Sequence, residues 1–134
     1  MLTFRIPLEP VAKGRPRFKV KGKYVQTYSP PGTTAAETSL RMWIASELPD
    51  SFTLYQGPIA VMLTVHLPFP KSMSKKRREY AKPEPRPDLD NYIKLAFDAM
   101  NGLVYKDDAL IVMLLAEKMY SDEPRWEIQV KEIP

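Results

Sequence analysis

The chain has 134 residues, 44% of them hydrophobic, which suits one domain (1–134) with a real core. It has no Cys and a single His, so disulfides, thiolate zinc sites, cysteine nucleophiles and histidine-dependent triads have little or no material to work with. No apolar stretch is long enough to span a bilayer, no charged leader precedes an apolar core, and no Gly-rich phosphate loop appears. The expectation is a cytoplasmic protein with neither a membrane partner nor a nucleotide cofactor.

Met1 to Leu8 alternates, with Leu2, Phe4, Ile6 and Leu8 on one side, and reads as a half-buried strand. Lys13 to Lys23 then carries six basic residues (Lys13, Arg15, Arg17, Lys19, Lys21, Lys23) and no acid. Arg15, Arg17 and Lys19 alternate around Phe18 and Val20, and Lys21-Gly22-Lys23 suits a hairpin turn into Tyr24-Val25. This is either a charged edge strand that resists aggregation or a ribbon that contacts phosphates. Ser29-Pro30-Pro31-Gly32 breaks the strand, and Thr33 or Thr34 can cap a helix running to about Leu48. That helix packs through Ala36, Leu40, Trp43, Ile44 and Leu48. A strand follows with Val61, Leu63, Val65 and Leu67 alternating, and its His66 reads as a packed or surface residue, not a ligand.

Lys71 to Arg86 is the second basic segment, with seven basic residues against Glu79 and Glu84. Its Ser, Pro and charge content reads as a solvated loop. The two segments together hold 13 basic and two acidic residues, +11, which leaves −7 on the rest of a chain whose net charge is +4. A basic zone beside an acidic one is what an enzyme acting on a polyanion needs.

From Pro87 to Gly102 the pattern is an amphipathic helix, with Leu89, Ile93, Ala96, Phe97 and Met100 on one face and Tyr92 at its edge. Asp88 suits the N-cap and Asn101-Gly102 the C-terminal stop. On the polar side Asp90, Lys94 and Asp98 stack at i, i+4 and i+8. Asp107-Asp108 follows, ahead of a strand from Ala109 to Tyr120; then comes a turn at Ser121-Asp122-Glu123-Pro124 and a last strand with Trp126, Ile128 and Val130 on one face. An Asp-x-Asp at a helix start, or an Asp pair before a strand, is ordinary structural chemistry when it stands alone. Both pairs together are not. A strand returning beside the helix can bring Asp108 to Asp88 and Asp90, and converging carboxylates are hard oxygen donors suited to Mg²⁺ or Mn²⁺. Lys94, one turn away, can meet a phosphate or a developing negative charge.

These residues resemble the RusA-type Holliday-junction resolvases. The matching features are Asp88-Leu89-Asp90-Asn91, Lys94, Asp98-Ala99 and Asp107-Asp108-Ala109, in type, order and spacing. Lys13-Gly14-Arg15-Pro16-Arg17 is similar to a segment common in the phage and Gram-positive branch. One departure is that some relatives carry an arginine run where this chain has Lys82-Pro83-Glu84-Pro85-Arg86-Pro87.

The reading is an α+β fold in the order β-β-β-α-β-α-β-β, a mixed sheet with two main helices packed on it. The resemblance implies a homodimer on four-way or branched DNA, acting in recombination and repair. Asp88, Asp90 and Asp108 are expected to hold Mg²⁺ (Mn²⁺ as an alternative), with Lys94 also catalytic and Asn91, Asp98 and Asp107 in support. The expected DNA contacts are Lys13, Arg15, Arg17, Lys75, Lys76, Arg77, Arg78 and Arg86. The alternatives are a flap or branched-DNA nuclease with the same site and a non-catalytic junction-binding module. An RNA-binding domain is disfavoured because the basic strands show no clear aromatic stacking platform.

Overall fold

The computed structural model describes residues 1–14, 16–28 and 30–134. Its elements run β1 (Leu2–Ile6), β2 (Arg17–Lys21), β3 (Tyr24–Tyr28), α1 (Pro31–Glu47), β4 (Ile59–Leu67), α2 (Lys75–Arg78), α3 (Leu89–Met100), a 3-10 turn (Asp108–Leu110), β5 (Ile111–Tyr120) and β6 (Arg125–Glu132). The class is α+β, as the sequence implies. Four strands form a mixed sheet in the order β1-β6-β4-β5, antiparallel except for the β4–β5 pair.

Period-two alternation sends Phe4 and Ile6 of β1, Ile59, Val61, Leu63 and Val65 of β4, and Trp126, Ile128 and Val130 of β6 to one face. There they are buried against Leu40 and Ile44 of α1 and Leu95, Ala96, Ala99 and Met100 of α3. Each large side chain so buried contributes roughly 1.5–3 kcal/mol. Both long helices therefore lie on the same face. Among the described residues no long helix covers the opposite face, and Met62, Met113 and Leu115 are exposed there.

Several local details differ from the sequence reading. The β2–β3 hairpin is a separate two-stranded sheet, not part of the main one, and every residue in it is exposed. Helix α1 starts at Pro31 behind an N-cap at Pro30, without a side-chain cap. Proline fits that first position because its missing N–H has no intrahelical partner there. Thr33, instead of capping, is buried and accepts a hydrogen bond from the Gly14 N–H at 2.9 Å. A Cβ on Gly14 would stand 2.8 Å from that hydroxyl oxygen, so only glycine fits. Trp43 is 40% exposed and outside the core, whereas Tyr92 is buried, edge-on to Trp126 with ring centroids 6.2 Å apart.

The segment read as a loop contains α2. Ser74 Oγ caps it by accepting from the Arg77 N–H at 3.2 Å. Arg78 donates to the Met73 and Pro70 carbonyls and lies 5.0 Å over the Phe69 ring. His66 is a packed residue, its Nε2 3.1 Å from Glu127 Oε2 but out of hydrogen-bonding alignment. No helix among the described residues is long and apolar enough to cross a membrane.

Candidate active site

Asp88 occupies the N-cap of α3 with extended backbone (φ −69°, ψ 148°), yet its carboxylate makes no cap hydrogen bond. Its backbone carbonyl accepts from the Asn91 N–H at 3.1 Å, so the turn closes through main-chain atoms alone. The usual structural use of an N-cap aspartate is therefore absent, and the side chain is exposed. Asp90 is likewise exposed in the first turn. One turn on, Lys94 is 59% exposed, with its Nζ 3.3 Å from Asp98 Oδ1.

Asp98 is also held from the other side. Lys13 Nζ reaches Asp98 Oδ2 and Glu37 Oε1, both at 2.8 Å, which joins the N-terminal segment to α1 and α3. Burial alone would lower the Lys13 ammonium, but the hydrogen bonds to Asp98 and Glu37 outweigh it and hold the pKa above its ordinary value. The Lys13 N–H donates to the Asn91 carbonyl at 2.9 Å. Lys13, expected as a DNA contact, is thus a tie within the chain. Its two carboxylate partners already neutralise it.

The loop after α3 is fixed by backbone geometry. Gly102, at φ 73°, takes the left-handed conformation that ends the helix, and its N–H donates to the Tyr105 carbonyl. Tyr55 pairs with this loop through Tyr55 N–H to Val104 O and Lys106 N–H to Tyr55 O, both 2.9 Å. Tyr105 is fully buried, and its hydroxyl donates to the Phe97 carbonyl at 2.7 Å. Burial pushes the Tyr105 phenol well up, and the charges of Asp108, Asp98 and Asp107 add to the effect. Asp108 opens a 3-10 turn, and the strand begins at Ile111, not at Ala109.

Asp88, Asp90, Asp107 and Asp108 form no ion pair among the described residues. Nor do any three of His, Cys, Asp and Glu there form a group that could hold a metal ion. The donor chemistry of these carboxylates, four of them without cationic partners among the described residues, is that of hard oxygen ligands for a divalent cation.

Of the basic residues, Lys75, Lys76 and Arg77 on α2, Arg86 ahead of α3 and Arg17 on β2 are exposed. Arg15 lies outside the described residues. Arg78, in contrast, is occupied in holding its own loop, as described above. A cleft of about 530 Å³ opens beside α2, lined in part by Ser72, Ser74, Arg77, Lys82 and Tyr120.

Residues 7–131 match the family model for the endodeoxyribonuclease RusA. The chain belongs to the RusA family of endodeoxyribonucleases. It is 36% identical over 139 residues to the YqaN protein of Bacillus subtilis (strain 168), covering 98% of this chain and 96% of that one. It is 34% identical over 116 residues to the crossover junction endodeoxyribonuclease rusA of Lactococcus phage r1t, covering 86% and 83%.

Two residues that support the site in this RusA-family chain are not apparent from its sequence. One is Tyr105. The other is Lys118, whose Nζ donates to the carbonyls of Pro85 and Pro87, each at 3.0 Å, and so ties β5 to the turn just before Asp88. Its one signal in the sequence is a lone cation in register with Leu114 and Ala116 on the helix-covered side of β5, which means something only once that side is known. Lys118→Met is expected to slow DNA cleavage by roughly 10- to 100-fold, as loss of an orienting outer contact typically does. Some loss of thermal stability accompanies it, because the two hydrogen bonds given up are worth about 0.5–1.5 kcal/mol each. Single-turnover rates beside melting curves check this.

Proposed function

We propose that this chain is a magnesium-dependent, structure-selective endonuclease that resolves four-way DNA junctions as a homodimer, in recombination and repair, in the cytoplasm. The observation that carries the reading is the set of carboxylates on and after α3 without cationic partners among the described residues, in a RusA-family chain with Lys94 on the same helix. The four-way substrate comes from the phage relative, whose name specifies crossover junctions.

Asp88, Asp90 and Asp108 would hold the metal. Bound Mg²⁺, or Mn²⁺, would polarise the scissile phosphate and lower the pKa of a coordinated water. Converging carboxylates repel one another until a cation is present among them. Lys94 places an exposed ammonium one turn from Asp90, where it stabilises negative charge developing on the phosphate. Asn91 closes the first turn through its backbone, and Asp107 adds to the local negative potential. Lys75, Lys76, Arg77 and Arg86 hold the DNA backbone, and Arg17 extends this surface to the hairpin.

Two sites on one four-way substrate require two copies, and the bare outer edge of β5 supports their association. The test is cleavage of a synthetic four-way junction beside linear duplex, flap and fork DNA, with Mg²⁺ or EDTA. Paired, metal-dependent cuts confined to the junction are expected. Equal cutting of flaps would replace the junction with a broader branched substrate, and binding without cleavage under either metal would overturn the enzyme reading.

A further inference from the structure

The β2–β3 hairpin has a property visible only in its register. Arg17 lies opposite Tyr28, Lys19 opposite Gln26, and Lys21 opposite Tyr24. Directly opposed residues of an antiparallel pair share a face, so Arg17, Lys19, Lys21, Tyr24, Gln26 and Tyr28 all point to one side. The other side carries Phe18, Val20, Val25 and Thr27. Gly22, at φ 59°, takes the first central position of the two-residue turn, the place where a type II′ turn calls for glycine.

Each end of the first face sets a cation beside an aromatic ring, Arg17 with Tyr28 and Lys21 with Tyr24. Tyr24 is 80% exposed and Tyr28 42%. No acidic residue occurs between Glu9 and Glu37, so this surface attracts a polyanion with no opposing charge on its own segment. A two-stranded ribbon exposed on both faces is marginally stable by itself, and a ligand lying along it adds what the fold does not. A phosphate contact and a stacked base are what an aromatic–cation pair offers to one nucleotide. A base inside a continuous duplex has no free face to offer. An unpaired one does.

We infer that the β2–β3 ribbon is an arm that binds unstacked nucleotides of DNA, with Tyr24 and Tyr28 stacking on bases and Arg17, Lys19 and Lys21 on the adjoining phosphates. The arm deepens the proposed function, and rests on it, by supplying a preference for branched over continuous DNA that is independent of the carboxylates. It also revises the expectation that the basic strands lack a stacking platform. Along β2 alone the cations alternate with Phe18 and Val20; cross-strand pairing is what adds two tyrosines to them.

The test uses the full chain in EDTA and fluorescence anisotropy with oligothymidine, a linear duplex of equal length and a four-way junction. Tyr24→Ala/Tyr28→Ala is expected to weaken oligothymidine binding by roughly ten-fold or more per ring removed. Duplex binding should change by no more than about two-fold, and Tyr24→Phe/Tyr28→Phe should retain oligothymidine binding. An equal loss on duplex and single strand, no loss at all, or a shift of the alanine variant from dimer to monomer would each overturn the arm. Tighter binding of oligouridine than of oligothymidine would likewise overturn it in favour of RNA. The two readings separate cleanly. Tyrosine-independent binding by a chain that still cuts junctions removes the arm alone. Tyrosine-dependent oligothymidine binding by a chain that neither binds nor cuts branched DNA retains the arm and removes the nuclease reading.

Discussion

Asp90→Asn is expected to reduce junction cleavage by at least about 10²- to 10³-fold, the scale on which losing one group that stabilises transition-state charge is felt. The substitution preserves shape and removes one negative charge. Asp90 is exposed and makes no ion pair among the described residues, so folding loses only its first-turn interaction with the helix dipole, about 0.3–1 kcal/mol. Binding of the four-way junction should persist and even tighten slightly, because a repulsive charge facing the phosphates is gone. A second readout needs no turnover: Mg²⁺ should raise the thermal midpoint of the wild-type chain, by mass action on the folded state, and fail to do so for Asp90→Asn. Asp98→Asn is the contrasting variant. Asp98 already faces two lysines, Lys13 and Lys94, so its replacement strips a partner from the half-buried Lys13 ammonium. Lower stability is expected there, with the Mg²⁺ response kept. If Asp90→Asn still cuts in Mg²⁺ while Asp98→Asn does not, the assignment of these two acids is reversed.

The part of this site that was legible from sequence is the part written in helical periodicity. Leu89, Ala96 and Met100 do turn inward, and Asp90, Lys94 and Asp98 do share the polar side of α3. Tyr92 was harder to place. Helical spacing puts it at the edge of the apolar face, but the Trp126 ring from a distant strand gives it a buried, edge-on neighbour. Trp43 erred the other way, since helical spacing says which side chains share a face and not how far the sheet beneath extends. Thr33 looks like a cap because threonine at a helix start usually is one, but a glycine 19 residues earlier claims its hydroxyl. The contacts of Tyr105 with Phe97 and of Lys118 with Pro85 and Pro87 join segments by tertiary approach and leave no periodic trace. The same holds for Lys13, which counts as free positive charge in any tally of the chain and is in fact paired twice.

Met113→Glu/Leu115→Glu is expected to convert a dimer into a monomer and to turn paired cuts into single nicks. β5 is the outer strand of the sheet, and its edge away from β4 has no partner among the described residues. Val112 and Leu115 are each 64% exposed and Met113 62%, so the strand is apolar and bare on both sides of its free edge. Soluble proteins usually protect such an edge with charge, proline or a covering element. An antiparallel pairing of two β5 strands about a two-fold axis would extend the sheet from four strands to eight and is self-complementary, as a two-fold interface must be. With that axis perpendicular to the sheet, the helix-bearing faces of both copies look the same way, and both sets of α3 carboxylates face one DNA substrate. Met113 and Leu115 stay on the open face of such a sheet and gain cross-strand neighbours there, worth roughly 0.2–1 kcal/mol per pair. Glutamates at these positions set like charges against one another across the two-fold, and a rise of roughly ten-fold or more in the dimer dissociation constant is expected. Neither residue is part of the buried core, so each protomer should melt as before. Light scattering gives the oligomeric state, and a supercoiled plasmid carrying a cruciform gives the cutting mode, linear product for paired cuts and open circle for single ones. A variant that stays dimeric and linearises the plasmid would place the association on another surface.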